Sequence, residues 1–342
     1  MKILSGMSLS ELEEYFENLG EKKYRAKQVF QWIYRGVDAF DEMTDLPAKL
    51  REKLKESAAI SELNILDRKI SGTDGTRKYL FELSDGNRIE SVFMKYKFGN
   101  SICISSQAGC RMGCIFCASG KEGLSRNLSA GEMAGQILKV QNDTQEKINH
   151  VVIMGTGEPF DNYENVAGLI TLINNEHGLN IGMRNITVST CGMIPGIESF
   201  SSDFPQANLA ISLHASNDAD RKELMPVSNK YPYDELLAAC REYTKKTGRR
   251  ITFEYTLISG KNDDDKNADE LAAKLQNMLC HVNLIPMNHV SDLSLVPSAR
   301  DKAERFLKRL QKRGVAATIR RELGADIEAA CGQLRLSKIS SN

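Results

Sequence analysis

The sequence has 342 residues, 41% of them hydrophobic and 26% charged, with a formal net charge of zero. That length suits an α/β barrel with an accessory domain, and the charge balance excludes a uniformly basic nucleic-acid coat while leaving room for local basic faces. The longest apolar runs, such as Val151 to Met154, fall far short of the ~18 residues of a membrane span, and the start MKILSGMSLSELEEYF turns acidic too early for a signal peptide, so a cytoplasmic protein without a membrane partner is expected.

The first sixty residues read as short helices. One runs from the capping residue Ser10 to Gly20. In the next, Ala26, Val29, Phe30, Ile33 and Tyr34 form one apolar stripe stopped by Gly36, and a third follows Pro47 with Leu50 and Leu54 inward. Lys22, Lys23, Arg25, Lys27 and Arg35 decorate this bundle, either as a nucleic-acid face or as ordinary solubility charges. Residues 61 to 104 turn to a β pattern, with Tyr79–Leu83 and Ile89–Met94 flanking the hairpin signal Ser84-Asp85-Gly86-Asn87.

Beyond Ser101, short apolar strands alternate with helices, which implies parallel βα units. Strands are expected near 102–104, 149–154, 184–189, 207–213, 251–258 and 282–286, with a further one near 315–320. Helices are expected near 129–146, 162–176, 232–247, 265–279 and 298–313, the first opened by the capping box Ser129-x-x-Glu132. Six units instead of eight suggest an incomplete barrel with functional residues at the C-terminal ends of its strands. In the last helix Arg305, Lys308, Arg309 and Lys312 share one side, a basic face that reads as an RNA contact or as a solvated surface.

Eight cysteines in a reducing compartment are not expected to form a disulfide framework. Cys110-Arg-Met-Gly-Cys114-Ile-Phe-Cys117 is a Cys-x3-Cys-x2-Cys triplet just after the first barrel strand. Thiolates suit iron–sulfur clusters, zinc and copper(I). A structural zinc would want a fourth ligand close by, but the next His is His150 and the next Cys is Cys191. Three ligands on a four-iron cube leave one iron open for a chelating small molecule, with Phe116 placed to shield the cluster. A zinc-dependent RNA-binding module and an electron-transfer iron–sulfur protein remain as rivals from other classes.

The triplet resembles the signature of the radical S-adenosylmethionine (SAM) superfamily, which uses an incomplete (β/α)6 barrel. That resemblance implies a 4Fe–4S cluster held by Cys110, Cys114 and Cys117, with SAM on the open iron. Gly155-Thr-Gly157-Glu158-Pro159 follows the second strand and looks like the superfamily's Gly-rich cofactor segment, with Glu158 the natural partner of an ammonium. Ser189 ends the third strand, Ser212-Leu213-His214 ends the fourth, and Asn288 follows the sixth. All are read as cofactor contacts.

The C-terminal run Asp326-Ile-Glu-Ala-Ala-Cys331-Gly-Gln-Leu334 narrows the resemblance to the RlmN/Cfr methyltransferases, as do Cys103-Ile-Ser-Ser-Gln107 and Arg88-Ile-Glu90. Members methylate an adenine of 23S rRNA, and the RlmN branch also modifies adenosine 37 of tRNA. The resemblance implies that Cys331 takes a methyl group, that the deoxyadenosyl radical activates it, and that the resulting methylene radical adds to the base. Glu90 then accepts the base proton, and Cys103 resolves the adduct as a transient Cys103–Cys331 disulfide, with sulfur exchange following ordinary thiol chemistry. Pro159 and Pro286 look like the C2-methylating RlmN branch more than the C8-methylating Cfr branch, whereas Thr156, Cys191 and Met287-Asn288-His289 depart from the usual pattern. It further implies a helix-hairpin-helix-like RNA-binding domain over 1–60, a β-hairpin connector over 61–98, the barrel over 99–325 and a methyl-accepting segment over 326–342. The partners implied are 23S rRNA, tRNA and an external flavodoxin- or ferredoxin-like electron donor, with the chain acting as a monomer.

Overall fold

The computed structural model describes residues 1–120, 123–287 and 295–329. Strand β1 (Lys2–Ile3) pairs in parallel with β2 (Ala58–Ala59), bringing the two ends of the helical region together. Between them lie α1 (Leu9–Asn18), α2 (Lys23–Arg35) and α3 (Ala48–Ser57). The first helix starts two residues earlier than the sequence suggests, because the capping box is made by Ser8 and Glu11. Gly36, at φ 93°, stops α2 in a left-handed conformation that side chains rarely adopt. The expected stripe is buried as a unit, with Ala26, Val29, Phe30 and Ile33 at 0% exposure.

A single ten-stranded sheet carries the rest. Strands β3 (Asn64–Ile70), β4 (Arg77–Glu82) and β5 (Arg88–Tyr96) form an antiparallel meander that feeds β6 (Gly99–Ile104). The hairpin read from the sequence is therefore a three-stranded ribbon. Its edge strand β3 is exposed along all seven residues, so it has no apolar alternation to betray it. A short antiparallel pair follows, β7 (Gln107–Gly109) and β8 (Leu124–Asn127).

From β6 onward pairing is parallel, through β9 (His150–Ile153), β10 (Ile186–Thr190), β11 (Asn208–Ser212), β12 (Ile251–Leu257), β13 (Cys280–Pro286) and β14 (Ala317–Ile319). These are the six expected barrel strands and the further one. Helices α4 (Ala130–Thr144), α5 (Tyr163–Asn174), α8 (Tyr233–Thr247), α9 (Asp265–Leu275) and α10 (Arg300–Lys312) fall where periodicity places them. Two others were not foreseen, α6 (Ile194–Asp203) and α7 (Asp218–Leu224). The first is rich in Ser with Pro195 and Gly196 at its start, and the second is seven residues with little apolar surface, so neither carries a clear helical stripe.

The N-terminal helices and the sheet share one hydrophobic core, running from Leu4 and Phe16 through Ile102, Val151, Val188 and Ile211 to Phe306. Parallel pairing brings the C-terminal ends of the strands to a common rim. Among the described residues no helix is long and apolar enough to cross a membrane.

Candidate active site

The loop between β7 and β8 carries Cys110, Cys114 and Cys117. Its two ends are tied together and its middle is anchored: Cys110 donates its backbone N–H to Gly123 O (2.9 Å), and Ile115 donates to Leu224 O on α7 (3.1 Å). Gly109 has φ 81°, and a Cβ there would lie 2.1 Å from Gly123 O, so only glycine fits the turn into the loop. All three thiols line one cavity at the strand rim, roughly 1000 Å³ including its open mouth. Burial pushes the Cys110 thiol up to about 12 and raises Cys114 still further, so without a cationic partner both stay protonated. Among the described residues no three His, Cys, Asp or Glu side chains converge as the ligands of a single metal ion. A cube, which presents separate irons to separate thiols, suits this donor set, and its cationic irons would keep the sulfurs as thiolates.

The other walls of the cavity come from the C-terminal ends of six strands, β9 to β14. After β9, Gly155 passes so close to β6 that a Cβ would lie 2.7 Å from Ile104 O, and Gly157 turns at φ 112° against Gln107. The next residue, Glu158, is buried in the wall. Its Oε2 accepts the Cys191 N–H (2.7 Å), its Oε1 accepts the Phe160 N–H (2.9 Å), and its own N–H donates to Gln107 Oε1 (2.8 Å). Burial raises the carboxyl above its ordinary value while these backbone bonds oppose the rise. The arrangement holds an acidic group at the wall, bonded to neutral donors and, among the described residues, ion-paired to none.

Ser189 and Ser212, at the ends of β10 and β11, also line the cavity. His214 sits at φ 54°, packs edge-on against Phe116 of the cysteine loop (4.7 Å, 65°), and accepts the Thr256 N–H at Nδ1 (2.9 Å). Burial and the nearby Arg221 push it down to about 3, so the ring is neutral with its proton on Nε2. Leu213 differs from its neighbours: its side chain belongs to the hydrophobic core, and its backbone N–H donates to Glu254 O (3.0 Å), so it can meet a ligand only through its main chain. Asn288 lies outside the described residues.

Beside this cavity, β5 and β6 carry a second group. Cys103 pairs across the sheet with Val92 and Val152 and is buried in an apolar cluster with Val92, Met94 and Ala329. Glu90 on β5 is 4% exposed, which removes the bland reading of a solvent-facing strand residue. Its Oε1 lies 2.9 Å from Lys78 Nζ, which also donates to Glu328 O (3.1 Å). The C-terminal segment is tied to the β3–β4 turn by Gly324 N–H on Asp74 Oδ2 (2.9 Å) and Gly72 N–H on Asp326 Oδ2 (3.0 Å). These bonds bring the chain to within two residues of Cys331, itself outside the described residues, at the patch that contains Cys103. No disulfide joins two of the described cysteines.

Sequence reasoning missed several rim residues. Glu254, Thr256 and Arg320 line the cavity from β12 and the end of β14. Gln107 joins the two sides, donating from Nε2 to Asn127 Oδ1 (2.8 Å) and Asp161 Oδ2 (3.0 Å). Only strand-end position could have flagged them. The basic face of α10 is also different from its appearance in the sequence: Arg305 pairs with Asp265 (3.3 Å), and Asp269 takes Arg309 (2.6 Å) and Arg313 (2.7 Å). The cations of α2 have another setting, with Arg25 over the Tyr24 ring (4.8 Å) and Arg35 over Trp32 (5.0 Å).

Comparison with known proteins agrees with this layout. Residues 3–60 match the family described as ribosomal RNA large subunit methyltransferase N-terminal domain, and residues 104–272 match the radical SAM superfamily. A probable dual-specificity RNA methyltransferase RlmN from Thermoanaerobacter sp. (strain X514) is 51% identical over 333 residues, 97% of each chain. One of the same description from Clostridium novyi (strain NT) is 50% identical over 343 residues, 100% of each. The crystal structure of a radical SAM methyltransferase from Sphaerobacter thermophilus superposes with a TM-score of 0.95 at 43% identity, covering 98% of this chain and 100% of that one.

Proposed function

Since this chain belongs to the RlmN family of radical SAM RNA methyltransferases, we propose that it methylates carbon 2 of adenosine 2503 in 23S rRNA and of adenosine 37 in tRNA. The observation that carries the reading is adjacency. Strand β6 holds Cys103 in the patch where the C-terminal segment arrives, and the three-thiol cavity opens at the rim of the same sheet.

In this reading Cys110, Cys114 and Cys117 hold a 4Fe–4S cluster, and Gly157, Glu158, Ser189, Ser212, Leu213, His214 and Asn288 surround SAM. When bound, these groups supply a methyl group and a carbon-centred radical, which an aromatic C–H needs because it is neither acidic nor nucleophilic. Glu158 meets the cofactor's ammonium as a charge-assisted partner. Neutral His214 offers an Nε2–H donor while Nδ1 stays fixed to the backbone. Cys331 carries the methyl group to the base. Glu90 accepts the C2 proton, with Lys78 as its counter-charge. The Cys103 thiolate attacks the Cys331 sulfur and releases the product, leaving a disulfide to be reduced.

Mass mapping of adenosines in 23S rRNA and tRNA, from cells with and without the chain, tests this. We expect 2-methyladenosine at both positions only when the protein is present. 8-Methyladenosine would assign the C8 reaction instead, and unmodified RNA would remove the proposed substrates.

A further inference from the structure

Arg221, on α7, is 0% exposed and is the largest fully buried side chain among the described residues. Every hydrogen bond of its guanidinium goes to a neutral oxygen: Nε to Leu213 O (3.2 Å), Nη1 to Ser228 Oγ (2.7 Å), and Nη2 to Cys191 O (2.5 Å) and Ser212 O (3.1 Å). No carboxylate is among these partners. A guanidinium keeps its proton under all ordinary conditions, so burial here places a permanent cation in the protein without a paired carboxylate. Such a charge is expensive to bury unless something anionic faces it.

The surroundings show where that anion belongs. Two of the three backbone oxygens held by Arg221 end strands at the cofactor cavity, at Cys191 and Ser212, both of which line it. Three residues after Arg221, Leu224 O accepts the N–H of Ile115 (3.1 Å), so the last turn of α7 is bonded directly to the cysteine loop between Cys114 and Cys117. Gly192, at φ 100°, sits in this tight corner: a Cβ there would lie 2.8 Å from Leu236 Cδ2 and 3.2 Å from Nη2.

We propose that Arg221 is the counter-charge of the iron–sulfur cluster, favouring its reduced state and setting how readily the first electron enters. The inference rests on Cys110, Cys114 and Cys117 being the cluster ligands. Reduction adds one negative charge to a site already bearing three thiolates. A fixed cation nearby stabilises the reduced state more than the oxidised one, by Coulomb attraction in a poorly screened interior. The same fork of N–H groups also fixes the backbone at Cys191 and Ser212, so charge and geometry must be separated by experiment.

Arg221→Lys keeps the charge and loses the planar fork, whereas Arg221→Gln loses both. Wild type and both variants would be reconstituted anaerobically, assayed for iron and sulfide, and titrated with reductant while the reduced cluster is followed by electron paramagnetic resonance. The Lys variant should keep its reduction equilibrium within about threefold of wild type. The Gln variant should fall at least tenfold, a midpoint about 59 mV more negative. Equal midpoints for Lys and Gln overturn the proposal. If the Gln variant does not retain a cluster, release of iron to a chelator decides the matter: retention by Lys and loss by Gln supports a charge requirement, and equal loss from both rejects it. A wild-type protein that binds no iron would instead refute the ligand assignment, a failure distinct from that of Arg221.

Discussion

On the cluster side of the rim, Glu158 and Arg221 are buried among backbone and hydroxyl groups, neither of them ion-paired among the described residues. On the Cys103 side, Glu90 and Lys78 are buried against one another at 2.9 Å. The difference tells which half of the site is finished by the protein itself. A buried charge without a counter-charge is tolerated where a charged ligand arrives; Glu158 lines the cofactor cavity, and Arg221 stands behind its wall on the carbonyls of Cys191 and Ser212. Where the protein supplies its own counter-charge, the charges satisfy each other inside the fold. The site thus combines an incomplete half, whose buried charges have no ion-pair partner among the described residues, with a complete half around Cys103, whose buried charges pair with each other.

The harshest way to break this comparison is to remove the proposed cluster ligands of the incomplete half. Replacing Cys110, Cys114 and Cys117 together by Ala should abolish iron binding, against about four irons and four sulfides per chain in the wild type. A brown, iron-loaded triple variant would end the account. On the complete half, Lys78→Met should lower stability by about 3 kcal/mol, since it strands a buried carboxylate. The double change Lys78→Met with Glu90→Gln should recover much of that loss. Urea midpoints decide, and a single-variant loss below about 1 kcal/mol would show that the pair does not matter energetically.

A smaller effect sharpens the contrast through pH. His214 is held down to about 3 by burial and by the Arg221 charge, so the folded protein refuses a proton that the unfolded chain accepts. Its contribution is intact above the unfolded value of about 6.5 and is lost as pH falls from there towards 3. At pH 5.5 the penalty is about 1.4 kcal/mol. His214→Gln should therefore soften the acid loss of stability relative to wild type, and an identical slope of stability against pH in both proteins would contradict the assignment.

The smallest effect concerns the two basic helices, which repeat the comparison at the surface. Both look alike in sequence. Asp265 and Asp269 engage Arg305, Arg309 and Arg313 of α10, whereas Arg25 and Arg35 of α2 lie over aromatic rings. Every cation that ceases to neutralise an RNA phosphate should flatten the log–log salt dependence of binding by about one unit. Neutralising Lys23, Arg25, Lys27 and Arg35 should therefore flatten it more than neutralising Arg305, Lys308, Arg309 and Lys312. The reverse order would assign the main RNA grip to α10.

What the sequence made legible follows the range of each interaction. The cysteine loop, the Gly155–Glu158 turn and the strand ends Ser189, Ser212 and His214 are local patterns tied to strand termini, and the structure brings them to one cavity. The edge strand β3 was hidden because neither of its faces is buried. Helix α7 was hidden because its one deeply buried polar side chain is an arginine, a residue type that marks the surface almost everywhere else. The pairing of α10 with α9 joins residues some forty positions apart, and no count of charges within one helix could have shown it. Glu90 was found through resemblance, but its burial and its lysine partner came only from the register of β4 against β5.

The central claim is that two thiols outside the cluster loop divide the work, Cys331 carrying the methyl group and Cys103 releasing the product. Denaturing gels of Cys103→Ala and Cys331→Ala proteins purified from cells, run before and after nuclease treatment, test it most directly. The account predicts that Cys103→Ala stalls as a covalent protein–RNA adduct whose mobility shift nuclease removes, and that Cys331→Ala is inactive and free of RNA. RNA bound to Cys331→Ala but not to Cys103→Ala would reverse the roles, and two active variants without trapped RNA would contradict the two-thiol mechanism for this chain.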